Sequence, residues 1–466
     1  MSRVLSAALL AAVVAGCSGR QRPVALPPLA AEGEVILYLQ PFPQDAGRLV
    51  FRVEGVAAES AGKAQGTLEL RLPEVAAHAL RGQRMLARGR LPEGTYDGFS
   101  IRVTEASLAG EGGTSALLVP PGPVRVPLHL PVRAGEATVV RLTLREGAIE
   151  QGFRFSPAFA AAVPAPVGAS AADYCTSPAR HEVDVVERGT YDVTAVLATG
   201  STPRGIAVDA IAGRAYVALS GEDQVEMIDL ATPASRRRIR LLPGDEPSEL
   251  ALTPDRTQLL VLDRHSRTLS FVSTLSLREV ARLAVGDDPW WLAVDAEGTR
   301  AYVLNRRSST LVAVDLANRA LAGSVGTDRE PIRAALSPDG TRLWVIHAGS
   351  AYLSVFSLPD LALQKRVFVG LGMTAIAIDP RTSFVHVARD DERRVTVFDP
   401  FSALPLDGFP VPGPVSSMAV DTLENALLVA MPGQSALSVV DLTSRRLRAT
   451  ADVGEATWQV VAAGER

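Results

Sequence analysis

From about residue 172 to the end of the chain, apolar and polar positions recur in one phrase, clearest between Ala293 and Gly326. Ala293-Val294-Asp295, Ala301-Tyr302-Val303-Leu304-Asn305, Thr310-Leu311-Val312-Ala313-Val314-Asp315 and Leu321 to Gly326 are short runs rich in β-branched and aromatic residues, parted by turn-forming clusters. Runs of that kind are antiparallel strands. Four in succession make one propeller blade.

The polar residue closing the first strand sets the period. It falls at Asp209, Thr253, Asp295, Ser337, Asp379 and Asp421, with one step of 44 and the rest of 42, and a further 42 lands on Ala463. The end of the third strand keeps the same beat at Asp229, Ser273, Asp315, Ser357, Asp399 and Asp441, with Glu187 one step earlier. Each series has seven members, so seven blades are expected. The second strand carries Tyr216, Leu260, Tyr302, Trp344, His386 and Leu428, each followed by valine; one step back stand Tyr174 and Cys175. The seventh blade should therefore be composite, its innermost strand from the C-terminus and the others from about residues 172 to 200. Such a blade closes the ring and removes exposed sheet edges. Asp, Ser, Thr or Glu recurring at matching strand ends should cap turns, since a residue repeated in every blade does blade work.

Residues 172–466 resemble the YVTN-repeat family of seven-bladed propellers, with Ala301-Tyr302-Val303-Leu304-Asn305 through Val312-Ala313-Val314-Asp315 carrying the resemblance. That resemblance implies the architecture. Propellers of this kind serve as binding platforms, surface components, enzymes and cofactor holders, so function must come from the site.

Upstream, residues 34–159 are β without the beat. Expected strands are Val35–Leu39, Arg48–Val53, Thr67–Leu72, Arg84–Arg90, Phe99–Ala106, Val124–Val132, Ala137–Leu144 and Phe153–Ala158. Several alternate apolar with polar, which predicts two sheets packed face to face. Leu91-Pro92-Glu93-Gly94-Thr95-Tyr96, Ile101 to Leu108 and Val126 to Leu142 resemble a family of lipoprotein domains with a carbohydrate-binding-like or prealbumin-like sandwich. Where that family has an acidic cluster, this chain has Arg145-Glu146-Gly147. The Ala, Pro, Gly and Ser of residues 160–171 read as a short linker between independently packed domains.

The chain opens with Arg3, an apolar run from Val4 to Val14 and then Val14-Ala15-Gly16-Cys17, a run too short to span a bilayer. The ending resembles the bacterial lipobox. Residues 1–17 are thus expected to be a lipoprotein signal peptide, Cys17 the lipidated (palmitate-bearing) first mature residue and residues 18–33 an extended tether. Ser18, in place of an inner-membrane retention aspartate, favours the outer membrane, periplasmic or surface-exposed. Two cysteines in all exclude covalent c-type haem, and Cys175 in a valine slot reads as a small buried residue. Lys and Arg number 47 against 51 Asp and Glu, a balance that calls for no nucleic acid or other polyanion.

Loops joining strand four to the next strand one, and strand two to strand three, must share a face. That face is the expected binding surface, with Trp290, Trp291, Asp263, His265, Asn305, Arg306, His347 and Arg389 as candidates. Tryptophans anchor partners or fill the channel wall. His265 and His347 sit on different blades, and no spacing joins them into a metal site. The sequence therefore points to an all-β, lipid-anchored envelope binding or scaffold protein that recognises a protein or small molecule on this face. No catalytic residue, metal or cofactor is assigned. The alternatives are a lactonase-type enzyme, for which no nucleophile or metal motif is found, and a propeller holding a redox cofactor non-covalently.

Overall fold

The computed structural model describes residues 27–110 and 113–464. The expected signal peptide, Cys17 and the first part of the expected tether lie outside the described residues. Within them the chain is almost wholly β and forms a seven-bladed propeller with a curled β-sheet unit on its flank.

Each blade is a four-stranded antiparallel sheet. The first strands run Pro203–Asp209, Pro247–Leu252, Pro289–Val294, Pro331–Leu336, Met373–Ile378 and Ser417–Asp421 in blades one to six. Those of successive blades lie against one another as an inner ring. Blade seven is composite: Gln459–Ala462 pairs with Ala172–Ser177, which continues through Glu182–Glu187 to Val193–Ala198. Cys175 is a fully buried free thiol opposite Val460. Apolar clusters fill the gaps between neighbouring blades; one joins Tyr302 and Leu304 of blade three to Leu343 and Val345 of blade four. His386 is likewise packed, tilted against Phe409 with its ring centroid 6.3 Å away. The strand-end aspartates hold turns. Asp295 accepts from the Thr299 amide and hydroxyl at 2.7 Å each, and Asp315 from the Asn318 amide at 2.8 Å.

In the flanking unit the strands are β1 (Glu32–Leu39), β2 (Leu49–Ser60), β3 (Lys63–Leu70), β4 (Glu74–Ala76), β5 (Arg84–Pro92) and β6 (Gly94–Gly110). They are followed by β7 (Gly113–Leu117), β8 (Val124–Val132), β9 (Ala137–Leu144), β10 (Ile149–Glu150), β11 (Arg154–Phe155) and β12 (Phe159–Ala162). The two layers expected from the alternation belong to one hydrogen-bonded sheet. β3 pairs with both β2 and β5, so the sheet curls around a common core of residues such as Leu37, Phe51, Phe99, Leu130 and Phe155. Gly98 lets β6 cross β8 closely, since a Cβ there would stand 2.1 Å from the Val126 carbonyl.

The two units are not packed independently. Val35 to Leu39 are all fully buried, because β1 is covered on both faces, as a continuous apolar run requires. One face looks into the curled sheet. From the other, Ile36 and Tyr38 join Met85, Val139, Val186, Tyr191, Val193 and Val439 in a core shared with blades six and seven. The free edge of blade seven is closed by a side chain: Gln83 accepts from the Val193 amide at 2.7 Å and donates to its carbonyl at 3.3 Å. Asp452 of blade six accepts from Arg84 at 2.8 Å and from the Met85 amide at 2.9 Å.

An ionic cluster lies buried in the same interface. Arg88 holds Glu34 at 2.9 Å and grips Glu182 with two nitrogens at 2.6 and 3.1 Å, while Arg180 reaches Glu34 at 2.7 Å. Burial alone would favour neutral Arg88, but Glu182 and Glu34 outweigh it and hold the guanidinium firmly charged.

Candidate functional site at the mouth of the propeller channel

Blades one to four build their loop face in the same way. The residue before the first strand turns left-handed, at Thr202, Glu246, Asp288 and Glu330, with φ of 57°, 49°, 56° and 54°. Its carbonyl then accepts from the start of the blade's own strand-two-to-three loop. Ser220 donates to Thr202 at 3.1 Å, Arg264 to Glu246 at 3.3 Å, Arg306 to Asp288 and Ala348 to Glu330, both at 2.8 Å. Both loop sets thus share one face. This repeated link places Arg264 and Arg306 beside the entrance to the inner ring.

Trp290 follows the strand-one proline of blade three, and Trp458 occupies the same slot in blade seven. These blades stand across the ring from each other, and their indoles meet edge-on with ring centroids 5.9 Å apart. The guanidiniums of Arg264 and Arg306 each lie 4.8 Å from the Trp290 ring centroid, and that of Arg204 lies 4.9 Å from that of Trp458. Cation–π attraction of this kind is worth about 0.5–2 kcal/mol per contact. Arg264 is also paired with Asp288 at 2.6 Å, and Arg306 with Glu330 at 3.4 Å.

A second tier crosses the ring one residue further along the strand. Gln459 of blade seven accepts from the Ile206 amide of blade one at 2.8 Å and donates to Glu249 of blade two at 2.6 Å. Gly205 lets the first strands of blades one and two approach closely here, since a Cβ there would stand 2.7 Å from the Glu249 Cα. Arg333 of blade four donates to the Trp458 carbonyl at 3.4 Å. Burial pushes the Glu249 carboxyl up to about 7, with Arg333 and Gln459 opposing the rise. Burial also lowers the pKa of Arg333. The mouth thus holds a proton-exchanging carboxyl under two indoles and a ring of guanidiniums.

The residues singled out in the sequence separate into groups. Trp290 and Arg306 meet at the mouth. Trp291, next to Trp290, turns aside into the apolar layer between blades three and four. His265 is exposed on its loop.

Asp263, Asn305, His347 and Arg389 prove to be one position, the last residue of strand two, repeated every 42 residues. The first three are fully buried. Asn305 and Arg389 reach the segment leading in from the preceding blade, donating to the Val285 carbonyl at 3.0 Å and the Val369 carbonyl at 2.9 Å, whereas Asp263 ties down its own blade by accepting from Ser270 at 2.6 Å. In the same way, His347 Nδ1 lies 3.0 Å from the Tyr352 carbonyl. Burial pushes Asp263 up to about 7 and lowers His347, which favours a neutral imidazole. Arg389 is further held by Asp391 at 2.5 Å. Among the described residues, no group of three or more His, Cys, Asp or Glu is placed to hold a metal ion.

Arg204, Glu249, Arg333, Trp458 and Gln459 escaped the sequence reading. The signal for Trp458 was present, four steps of 42 beyond Trp290. For the others, the slot alone does not reveal which side chains cross the ring.

No protein-family model and no curated protein sequence matches the chain. Solved structures do match it in fold. A protein of unknown function from Desulfotomaculum acetoxidans aligns with TM-score 0.55 and 14% identity, over 63% of this chain and 98% of that one. The dihydro-heme d1 dehydrogenase NirN, solved in complex with DHE, aligns with TM-score 0.51 and 13% identity, over 64% and 76%. Hydrazine synthase of Kuenenia stuttgartiensis aligns with TM-score 0.50 and 18% identity, over 55% and 88%. At these identities the likeness shows the fold alone, and it is the fold of propeller proteins.

Proposed function

We propose that this chain is a lipid-anchored binding protein of the bacterial cell envelope, held at the outer membrane through Cys17, that recognises a protein or small-molecule partner at the channel mouth. The carrying observation is the Trp290–Trp458 pair with Arg204, Arg264 and Arg306 over its rings. Tryptophan and arginine at the centre of a loop face are the residues that dominate recognition energy. The YVTN-type repeat and the lipobox-like Val14-Ala15-Gly16-Cys17 support the envelope assignment.

The test is site-specific photo-crosslinking in intact cells. A probe at exposed His265 on the loop face should give a discrete adduct that Trp290→Ala removes. A probe at Leu275, 92% exposed on the loop between strands three and four of blade two, should give none. Equal labelling from both faces would reject the binding face. Mass spectrometry of the mature N-terminus tests the anchor separately, since an unmodified Cys17 would remove it.

Glu249 favours one alternative. A buried carboxyl that exchanges its proton near 7, beside Gln459 and Arg333, is suited to general acid–base work of the lactonase type. Turnover of a lactone that Glu249→Gln abolishes would establish it. The cofactor-holding alternative rests on fold likeness alone and is not preferred.

A further inference from the structure

Guanidiniums from blades one to four, those of Arg204, Arg264, Arg306 and Arg333, converge on the tryptophan pair. Two are neutralised locally, Arg264 by Asp288 at 2.6 Å and Arg306 by Glu330 at 3.4 Å. Among the described residues, Arg204 and Arg333 have no carboxylate within the 4.0 Å of an ion pair. Glu246 and Asp288 act on Arg204, and Glu249 on Arg333, only from longer range. Glu249 itself carries a proton much of the time near neutral pH, which weakens it as a counter-charge.

Both unmatched cations approach one residue. Arg204 lies over the Trp458 ring, and Arg333 donates to the Trp458 carbonyl at 3.4 Å. A guanidinium has five N–H donors in a fixed fork, and an indole face or one carbonyl leaves most of them for another acceptor. The acceptor that matches such forks is a carboxylate or phosphate.

We propose that the channel mouth binds a small organic anion, with its carboxylate or phosphate between Arg204 and Arg333 beside Trp458. The inference rests on the binding-face reading and names its ligand class. The tier of Glu249 and Gln459 beneath would limit the depth to which the anion enters.

Indole emission reads this site directly, because Trp290 and Trp458 are two of only four tryptophans. The full chain is titrated with benzoate, phenyl phosphate and neutral benzamide. The expected result is a saturable emission change with at least one anion, and binding of benzamide at least tenfold weaker. Benzoate against phenyl phosphate separates a carboxylate site from a phosphate site. Arg204→Gln together with Arg333→Gln should weaken anion binding at least tenfold. Arg204→Gln alone, at the half-buried rim, should weaken it severalfold and covers the case in which the double variant fails to fold. Arg329→Gln, an exposed arginine on the same face, should leave it unchanged.

The proposal is overturned by equal binding of benzamide, by undiminished affinity in Arg204→Gln, or by an equal loss in Arg329→Gln, which would mean a diffuse field. It is also overturned if neither anion binds. In that event, continued loss of the cellular adduct in Trp290→Ala would keep the binding face while rejecting the anion.

Discussion

The indoles of Trp290 and Trp458 meet edge to face, ring centroids 5.9 Å apart, although they stand on blades three and seven. Four repeats of sequence separate them, and the closing of the ring brings them together. The mouth is therefore completed by the same strand that completes the fold.

Replacing Trp458 by alanine should cost about 2 kcal/mol, less than the 3–5 expected for a fully buried tryptophan because Trp458 is only partly buried. It also takes from Arg204 its aromatic partner and from Trp290 its neighbour. Urea unfolding should show the loss, and the emission of Trp290 should move to the red as water reaches it. An unchanged spectrum would mean that the pair is not in contact in solution.

Removal of residues 459–466 should do far more harm. The strand Ala172–Ser177 would lose its inner partner and present an open edge of amides and carbonyls. Size-exclusion chromatography should then show self-association, and thermal unfolding should lose its single sharp transition. A monomer that melts like the full chain would show that the composite blade does not hold the ring closed.

Arg88→Met leaves Glu34 and Glu182 buried without their shared partner. Only Arg180 remains, on Glu34 at 2.7 Å. A loss of about 3–5 kcal/mol is the usual consequence of breaking a buried pair from one side. Adding Glu182→Leu should recover part of it, because the second stranded charge is then gone. Chemical denaturation of the single and double variants decides this, and a double variant weaker than the single would refute it.

Asp184 supplies a pH dependence of definite sign. Burial, then the nearby charge of Glu182, raises its carboxyl from an ordinary 3.8 to about 8, while the Gly454 amide donates to it at 2.8 Å. Between those values the folded protein holds a proton that the unfolded chain has released. The contribution to stability is therefore complete below about pH 4, falls as pH rises toward 8 and is level beyond. Melting temperatures from pH 5 to 8 should fall more steeply in the native chain than in Asp184→Asn. Parallel curves would exclude Asp184 as the cause.

The sequence shows the propeller so clearly because a blade is a local object. Its four strands are consecutive, and Asp295 or Asp315 need only reach a few residues along the chain to do their work. The composite blade could be read because it breaks that rule by one whole step of the period. The channel mouth is different in kind. Arg204, Glu249, Arg333 and Gln459 act on residues of other blades, and nothing local to their segments specifies which side chain crosses the ring. Asp263, Asn305, His347 and Arg389 show the converse: their varied chemistry suggests a site, yet their common spacing marks them as one structural position. The joint between the two units left a clue in Val35-Ile36-Leu37-Tyr38-Leu39, whose lack of alternation means that both faces are covered.

The shared core has a consequence in time as well as in space. The curled sheet sits on blade seven, where the two ends of the propeller segment meet, and Arg88 holds Glu182 immediately behind that seam. Opening the ring at its join while the sheet stays docked would disturb the core that the sheet shares with blade seven. Undocking and unlatching are thereby coupled, and slow opening as well as the free energy of folding is expected to govern resistance to proteolysis.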